Sequence, residues 1–339
     1  MRRATLMLVF LAACGPATKA PASTGMAPAS SAASSPTLTP SVIEKPAQAV
    51  EERPPTNVAP AQATPSIRLL DAGKPPRRAL RYEIKPGSVE WAEIDVQSDT
   101  TIIVNGQSQP TTALPTKRIR WRIEANEVTP EGDVKVALTA ESAEVLKDRA
   151  LPENAREETE RELAAMRGAR GSARISSRGI ASELTFYGQP AEAHLLETMT
   201  GQVCMLPQEE LGTGGRWEVL SLLPVSGSAL NLRTIYTVTK LDADAVHVDI
   251  VQTLSGQPGQ SLDVPNLPGG KATLESASGG STGAADVPSH RFVGNASAKG
   301  PSTTTFTAAS PGGKLTITIA ANLRITTRAG KAQPVTPPR

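Results

Sequence analysis

Arg118-Ile119-Arg120-Trp121-Arg122-Ile123-Glu124-Ala125 is the stretch that decides the fold class. Every second residue is apolar and every intervening one is charged, the period-two alternation of a strand with one face on a core and the other in water. The same alternation recurs in Leu80, Tyr82, Ile84; in Val134, Val136, Leu138; in Leu230, Leu232, Thr234, Tyr236, Val238; in Val246, Val248, Ile250; and in Leu315, Ile317, Ile319, Ala321, Leu323, Ile325. Two of these runs flank Leu241-Asp242-Ala243-Asp244, so 230–250 is expected to be an antiparallel hairpin. Asn105-Gly106 and Gly312-Gly313 mark further tight turns, and Gly269-Gly270-Lys271 and Gly312-Gly313-Lys314 read as hairpin tips.

Two segments depart from the strand rhythm. Residues 152–168 carry Glu157, Glu158, Glu160, Arg161 and Glu162 beside Leu163, Ala164, Ala165 and Met166, a polar helix with a narrow apolar stripe and Gly168 as its stop. Residues 190–203 open with a proline and place Leu195, Leu196, Met199 and Val203 near helical spacing, predicting a second helix. Gly, Ser and Thr dominate 276–305, which reads as long loops. Helices do not alternate with strands, so parallel βαβ organisation is disfavoured. The expectation is a mainly β, α+β domain of antiparallel curved sheets or a half-open barrel with one or two short helices.

The amino terminus carries Met1-Arg2-Arg3 and then an apolar run from Leu6 to Ala13, too short for a bilayer-spanning helix but suited to an export signal. It ends Leu11-Ala12-Ala13-Cys14, which resembles the lipobox of bacterial lipoproteins. The resemblance implies a signal peptide over 1–13, cleavage before Cys14, a diacylglyceryl group on the Cys14 thiol and a further acyl chain on the new amine. Several chains anchor stably because each buried methylene contributes ~0.8 kcal/mol. Gly15, where the enteric lipoproteins kept at the inner membrane have aspartate, implies the outer membrane rather than the inner.

Residues 14–66 are built of Pro, Ala, Ser and Thr without helical or strand periodicity. Such a segment cannot bury enough apolar surface to offset its ordering entropy, so a disordered tether is expected. It would span ~40 Å as a coil and up to ~150 Å extended. The domain expected over 67–328, with a disordered tail over 329–339, leaves about 270 residues beyond the tether, enough for one large domain or two halves.

Charge excludes one class of function. The chain has 35 Lys and Arg against 33 Asp and Glu, and loss of Arg2 and Arg3 brings the two to parity. Nucleic-acid binding calls for a concentrated basic face, so no nucleic-acid partner is expected. Arg68, Lys74, Arg77, Arg78 and Arg81 form the one basic concentration, expected as a solvated boundary between tether and domain. Cys204 is the only cysteine besides Cys14, so no intrachain disulfide is available; within Gln202-Val203-Cys204-Met205-Leu206 it reads as a small buried hydrophobe.

No catalytic, cofactor or metal site is expected. Gly279-Gly280-Ser281-Thr282-Gly283 has the spacing of a nucleophile elbow, but no apolar strand ends before it and no helical pattern follows. His194, His247 and His290 lie far apart without metal-ligand spacing; His194 faces Glu197 on the second predicted helix, and His247 is placed on a wet face with Asp249. Glu209 and Glu210 precede a glycine-rich turn, where adjacent carboxylates are solvated. Trp121 and Trp217 are expected in the core rather than as carbohydrate-stacking platforms.

Leu80-Arg81-Tyr82-Glu83-Ile84-Lys85-Pro86-Gly87, Leu206-Pro207 leading to Gly214-Gly215-Arg216-Trp217, and the Tyr236 strand together resemble a family of uncharacterised bacterial lipoproteins and secreted proteins. The resemblance spans most of 80–328 and implies a fold similar to lipoprotein carriers with half-open barrels; it implies no activity. The functional expectation is therefore a membrane-anchored envelope lipoprotein that is not an enzyme, a binding module for an apolar ligand or envelope protein. Two alternatives stand beside it: a structural or interaction protein of the envelope, and a hydrolase of an envelope polymer using Ser281 or Glu209 and Glu210.

Overall fold

The computed structural model describes residues 57–58, 64–148, 153–164, 166–187, 203–225, 228–264, 270–310 and 313–330. The expected signal peptide, lipobox, most of the tether, the second helix with His194 and most of the tail lie outside these residues. The strands are β1 (Asn57–Val58), β2 (Ser66–Asp71), β3 (Lys74–Ala79), β4 (Val89–Val104), β5 (Gln107–Ser108), β6 (Thr112–Ala113), β7 (Lys117–Val128), β8 (Val134–Val145), β9 (Arg170–Ile175) and β10 (Ala181–Tyr187). After them come β11 (Glu210–Thr213), β12 (Arg216–Val225), β13 (Ser228–Leu241), β14 (Ala245–Gly256), β15 (Ser261–Asp263), β16 (Lys271–Pro288), β17 (Ala296–Ser310) and β18 (Gly313–Gly330). The helix α1 (Glu153–Ala164) interrupts the series between β8 and β9.

Among the described residues the fold is mainly β with one helix: a large antiparallel sheet that is not closed into a barrel. Its order is β1-β10-β9-β8-β7-β4-β18-β17-β16-β14-β13-β12-β2, with β3 and β11 forming a separate pair. Two meanders make the sheet, one running outward from β4 to β10 and one inward from β12 to β18. They are joined by β4 on β18, where Ile94 faces Thr327 and Ile102 faces Ile319. The long strands of both meanders thus share one continuous sheet. The outermost strands are short ones, β1 beside Thr185 and Phe186 of β10 and β2 beside Arg216 to Leu220 of β12, and short edge strands offer little to further pairing. The expected tether therefore gives way to strand before residue 66, already at Asn57–Val58.

Period-two burial sorts the side chains as expected. On β7, Ile119, Trp121, Ile123 and Ala125 are buried. A first core gathers Trp121, Trp217, Tyr82 and Phe292 with Leu163 of α1. Trp217 stacks on Tyr236 with ring centroids 4.9 Å apart. A second core, on the same face toward the other end of the long strands, holds Leu230, Leu254, Leu274, Phe306 and Ile319. The Asn105-Gly106 turn has both residues at positive φ, 48° and 82°, as a two-residue hairpin requires. The 230–250 hairpin forms as expected, with Tyr236 opposite Ile250.

Two expectations are corrected. Residues 276–305 are not long loops: they supply most of β16 and the first part of β17. Ala277, Gly279, Ser281, Gly283 and Ala285 face the core side in a strand paired on both flanks, so its ladder forms without bulky residues. Residues 80–84, read as a strand, instead form an extended strap outside both sheets. Leu80, Tyr82 and Ile84 are buried, but the strap's hydrogen bonds go to two distant turns, Tyr82 N–H to Ser177 O at 2.8 Å and Glu83 N–H to Ser289 O at 2.7 Å. It stitches the β9–β10 turn to the end of β16.

Candidate functional site, an apolar trough between two cores

The β16–β17 ladder is interrupted at one place. Gly279 pairs with Ser302 and Thr282 with Lys299, while 280–281 and 300–301 between them do not pair. Pro301 has no N–H to contribute, which is tolerated where a ladder is already broken. Gly300 is required for a different reason: a Cβ there would lie 1.9 Å from the Gly280 carbonyl oxygen. The broken ladder divides the two cores.

At this position the sheet's core face carries little side chain. Gly279, Gly280 and Gly300 form a floor between Leu232 and Leu254 on one side and Leu323 and Ile325 on the other, with exposed Lys299 at the rim. Leu232, Leu323 and Ile325 are only half buried. The enclosed part measures ≈ 40 Å³, room for a few waters rather than a chain of carbons. The feature is an open trough, flanked by packed cores.

Its polar groups satisfy one another. Ser281 Oγ donates to Gln252 Oε1 at 2.8 Å, and Gln252 Nε2 donates to Thr234 Oγ1 at 3.4 Å. A serine whose hydroxyl proton goes to an amide oxygen has no base to activate it. The Gly279–Gly283 stretch is interior β strand, not an elbow. Glu210 opens β11 and is exposed like Glu209; neither is brought to Ser281.

The remaining candidates are placed as follows. Cys204 is buried; burial pushes its thiol up to about 12, and the Tyr82 hydroxyl donates to its carbonyl at 3.1 Å. Such a thiol carries no nucleophile at neutral pH. His247 lies on the outer face, half buried, its Nδ1 2.8 Å from Asp286 Oδ1 and its Nε2 2.9 Å from Asp242 Oδ2. Its hydrogen bonds to the carboxylates of Asp242 and then Asp286 raise its pKa above the ordinary value. His290 Nε2 is 3.8 Å from Asp244 Oδ1. Among the described residues no three His, Cys, Asp or Glu side chains are grouped to hold a metal ion.

Sequence reasoning missed two further features. Glu90, mostly buried, accepts the Phe292 and Val293 N–H groups at 3.0 and 3.3 Å and so pins the β16–β17 connection; burial raises its pKa. Arg118 makes a two-pronged pair with Asp95 at 2.7 and 2.8 Å, and Arg328 reaches Asp95 at 2.8 Å and Glu93 at 3.0 Å. The arginines of β7 hinted at such a ladder; Arg328, at the far end of the chain, did not. No protein-family model matches the chain, and no curated protein matches it.

Proposed function

We propose that the chain is a membrane-anchored lipoprotein of the bacterial cell envelope, at the outer membrane, and that its β domain is a non-catalytic binding module for an apolar ligand or envelope component. The observation that carries this reading is the trough: half-buried Leu232, Leu323 and Ile325 stand over a glycine floor whose polar neighbours are already paired with each other. An apolar occupant laid there removes leucine and isoleucine surface from water without orphaning a hydrogen bond. Because both flanking cores are filled and the enclosed volume is small, the occupant lies along the sheet instead of inside it. Anchoring rests on Leu11-Ala12-Ala13-Cys14, and no helix among the described residues is long and apolar enough to cross a membrane.

The test uses the full chain in membranes with photoreactive palmitate. Label is expected on peptides containing Leu232 and Leu323, reduced by Ala298→Trp, which fills the trough. Label spread evenly over both faces defeats the binding reading. Separately, Cys14→Ser should release the protein from membranes and abolish incorporation of labelled palmitate; retention in the membrane fraction defeats the anchor.

The structural or interaction alternative is favoured by a different observation. Leu220 and Leu222 of β12 are about half exposed side by side on the outer face, apolar surface that a protein partner would cover.

A further inference from the structure

A second cavity, ≈ 160 Å³, lies between the strap at 80–84 and the tip of the β13–β14 hairpin, at the first-core end of the sheet. Its apolar side is Leu80, Leu206, Val246 and Val287, all buried members of the first core. Its polar side carries Arg78, Arg81 and His290 together with two acids, Glu83 and Asp244.

Both guanidiniums are held by backbone carbonyls alone. Arg78 donates to Asp242 O, to Ala243 O at 2.8 Å and to Ala245 O at 3.4 Å. Arg81 donates to Leu80 O at 2.6 Å, Pro207 O at 2.9 Å and Gln208 O at 2.8 Å. A guanidinium has five N–H groups, so three bonds leave each arginine with donors to spare. A third arginine stands behind them, Arg178, whose Nε donates to Leu206 O at 2.9 Å. Among the described residues no carboxylate comes within 4.0 Å of Arg78, Arg81 or Arg178, whereas Arg68, Arg118, Arg174, Arg233 and Arg328 all have one. The two acids in the lining, Glu83 and Asp244, are exposed, as is Glu209 outside it, so water screens all three. Burial first, and then the charge of Arg178, lower the pKa of Arg81, against an opposing contribution from Glu209.

We propose that this cavity binds a small monocarboxylate, its carboxylate on the spare N–H groups of Arg78 and Arg81 and its short apolar body against Leu80, Leu206, Val246 and Val287. Carbonyls fix the two guanidiniums without neutralising them, so the receptor is oriented before the anion arrives and little ordering cost remains. The cavity is smaller than those that take drug-sized ligands, roughly 300 Å³ upward, so its anion must be small. The proposal is independent of the trough and of the lipid anchor.

Calorimetric titration of the full chain in non-ionic detergent at pH 7 tests it with butyrate, 1-butanol and inorganic phosphate. Butyrate is expected to bind, and butanol and phosphate at least tenfold more weakly. Exposed His290→Glu, which puts a negative charge at the rim without touching the core, and Arg81→Gln should each weaken butyrate at least tenfold. Equal butanol binding would show a merely apolar hole, and stronger phosphate binding a general anion site; either overturns the assignment. So does an absence of butyrate binding, or butyrate binding that survives His290→Glu undiminished in a variant whose melting temperature matches the parent.

Discussion

The two ends of the long strands bury their shared face by different means. At the first end, aromatic rings, the strap and α1 fill the space over the sheet; Trp121, Trp217, Tyr82 and Phe292 are all buried there. At the second end Leu230, Leu254, Leu274 and Ile319 pack with a single aromatic, Phe306. Between them β16 and β17 present Gly279, Ser281, Gly300 and Ser302. One sheet with continuous strands therefore carries two cores because side-chain volume is withdrawn from the middle. Apolar surface near the break, at Leu232, Leu323 and Ile325, therefore stays partly wet.

Truncating the largest ring should separate the two ends most sharply. Trp217→Ala removes a fully buried indole, its stack on Tyr236 and the donor to Met205 O at 2.8 Å. A loss of about 3–5 kcal/mol is expected in chemical denaturation. Leu274→Ala, buried in the second core, should cost less, about 2–4 kcal/mol. Amide exchange in the Leu274 variant should quicken around Leu254 and Phe306 while residues near Trp121 keep their protection; uniform acceleration would mean that the cores are one cooperative unit. Gly300→Ala tests the break itself. Its Cβ meets backbone, not a movable side chain, so about 1–3 kcal/mol of overpacking is expected, with pocket residues Leu323 and Ile325 disturbed and the Trp217 stack unchanged.

How much of this was legible in the sequence follows the same division. The first-core strands announce themselves, since Ile119, Trp121 and Ile123 alternate with arginines and the pattern alone places them. β16 and β17 hide, because a strand whose inward residues are Ala, Gly and Ser has no hydrophobic alternation, although its backbone pairs with both neighbours along most of its length. Residues 80–84 mislead in the opposite direction: Leu80, Tyr82 and Ile84 alternate because the chain is extended, but extension without a neighbouring ladder is a strap. Trp217 and Cys204 were readable as core. The trough was not readable, being a deficit of side-chain volume shared by strands far apart in sequence. The pairing of His247 with Asp242 lies across one hairpin; Asp286 joins it only through the β14–β16 register, where the two residues stand opposite each other.

The smallest expected effect comes from that imidazole, on the outer face at the first-core end. Asp242 and Asp286 raise the pKa of His247 in the folded protein. The folded state thus holds the proton more tightly than the unfolded chain, and the resulting stability is complete below the unfolded value of about 6.5 and lost as pH rises through the folded value. Asp242 behaves oppositely. Its pKa is lowered, first by Lys240 and then by His247, so its contribution is present above the ordinary carboxylate value and disappears only in acid, as pH falls through the lowered one. Between roughly pH 6 and 8 only the imidazole of this group titrates. His247→Gln should therefore leave the denaturation midpoint near that of the parent at pH 8 and below it at pH 6, a small difference because the pair faces water. The second-core end is fastened on its wet side by Lys271 with Asp263 and Lys314 with Glu275, and no histidine stands among these pairs. Amide protection around Leu274 should accordingly show no response to His247→Gln between pH 6 and 8, while that of Val246 and Val248 does; an equal response at both places would make the two cores a single cooperative body.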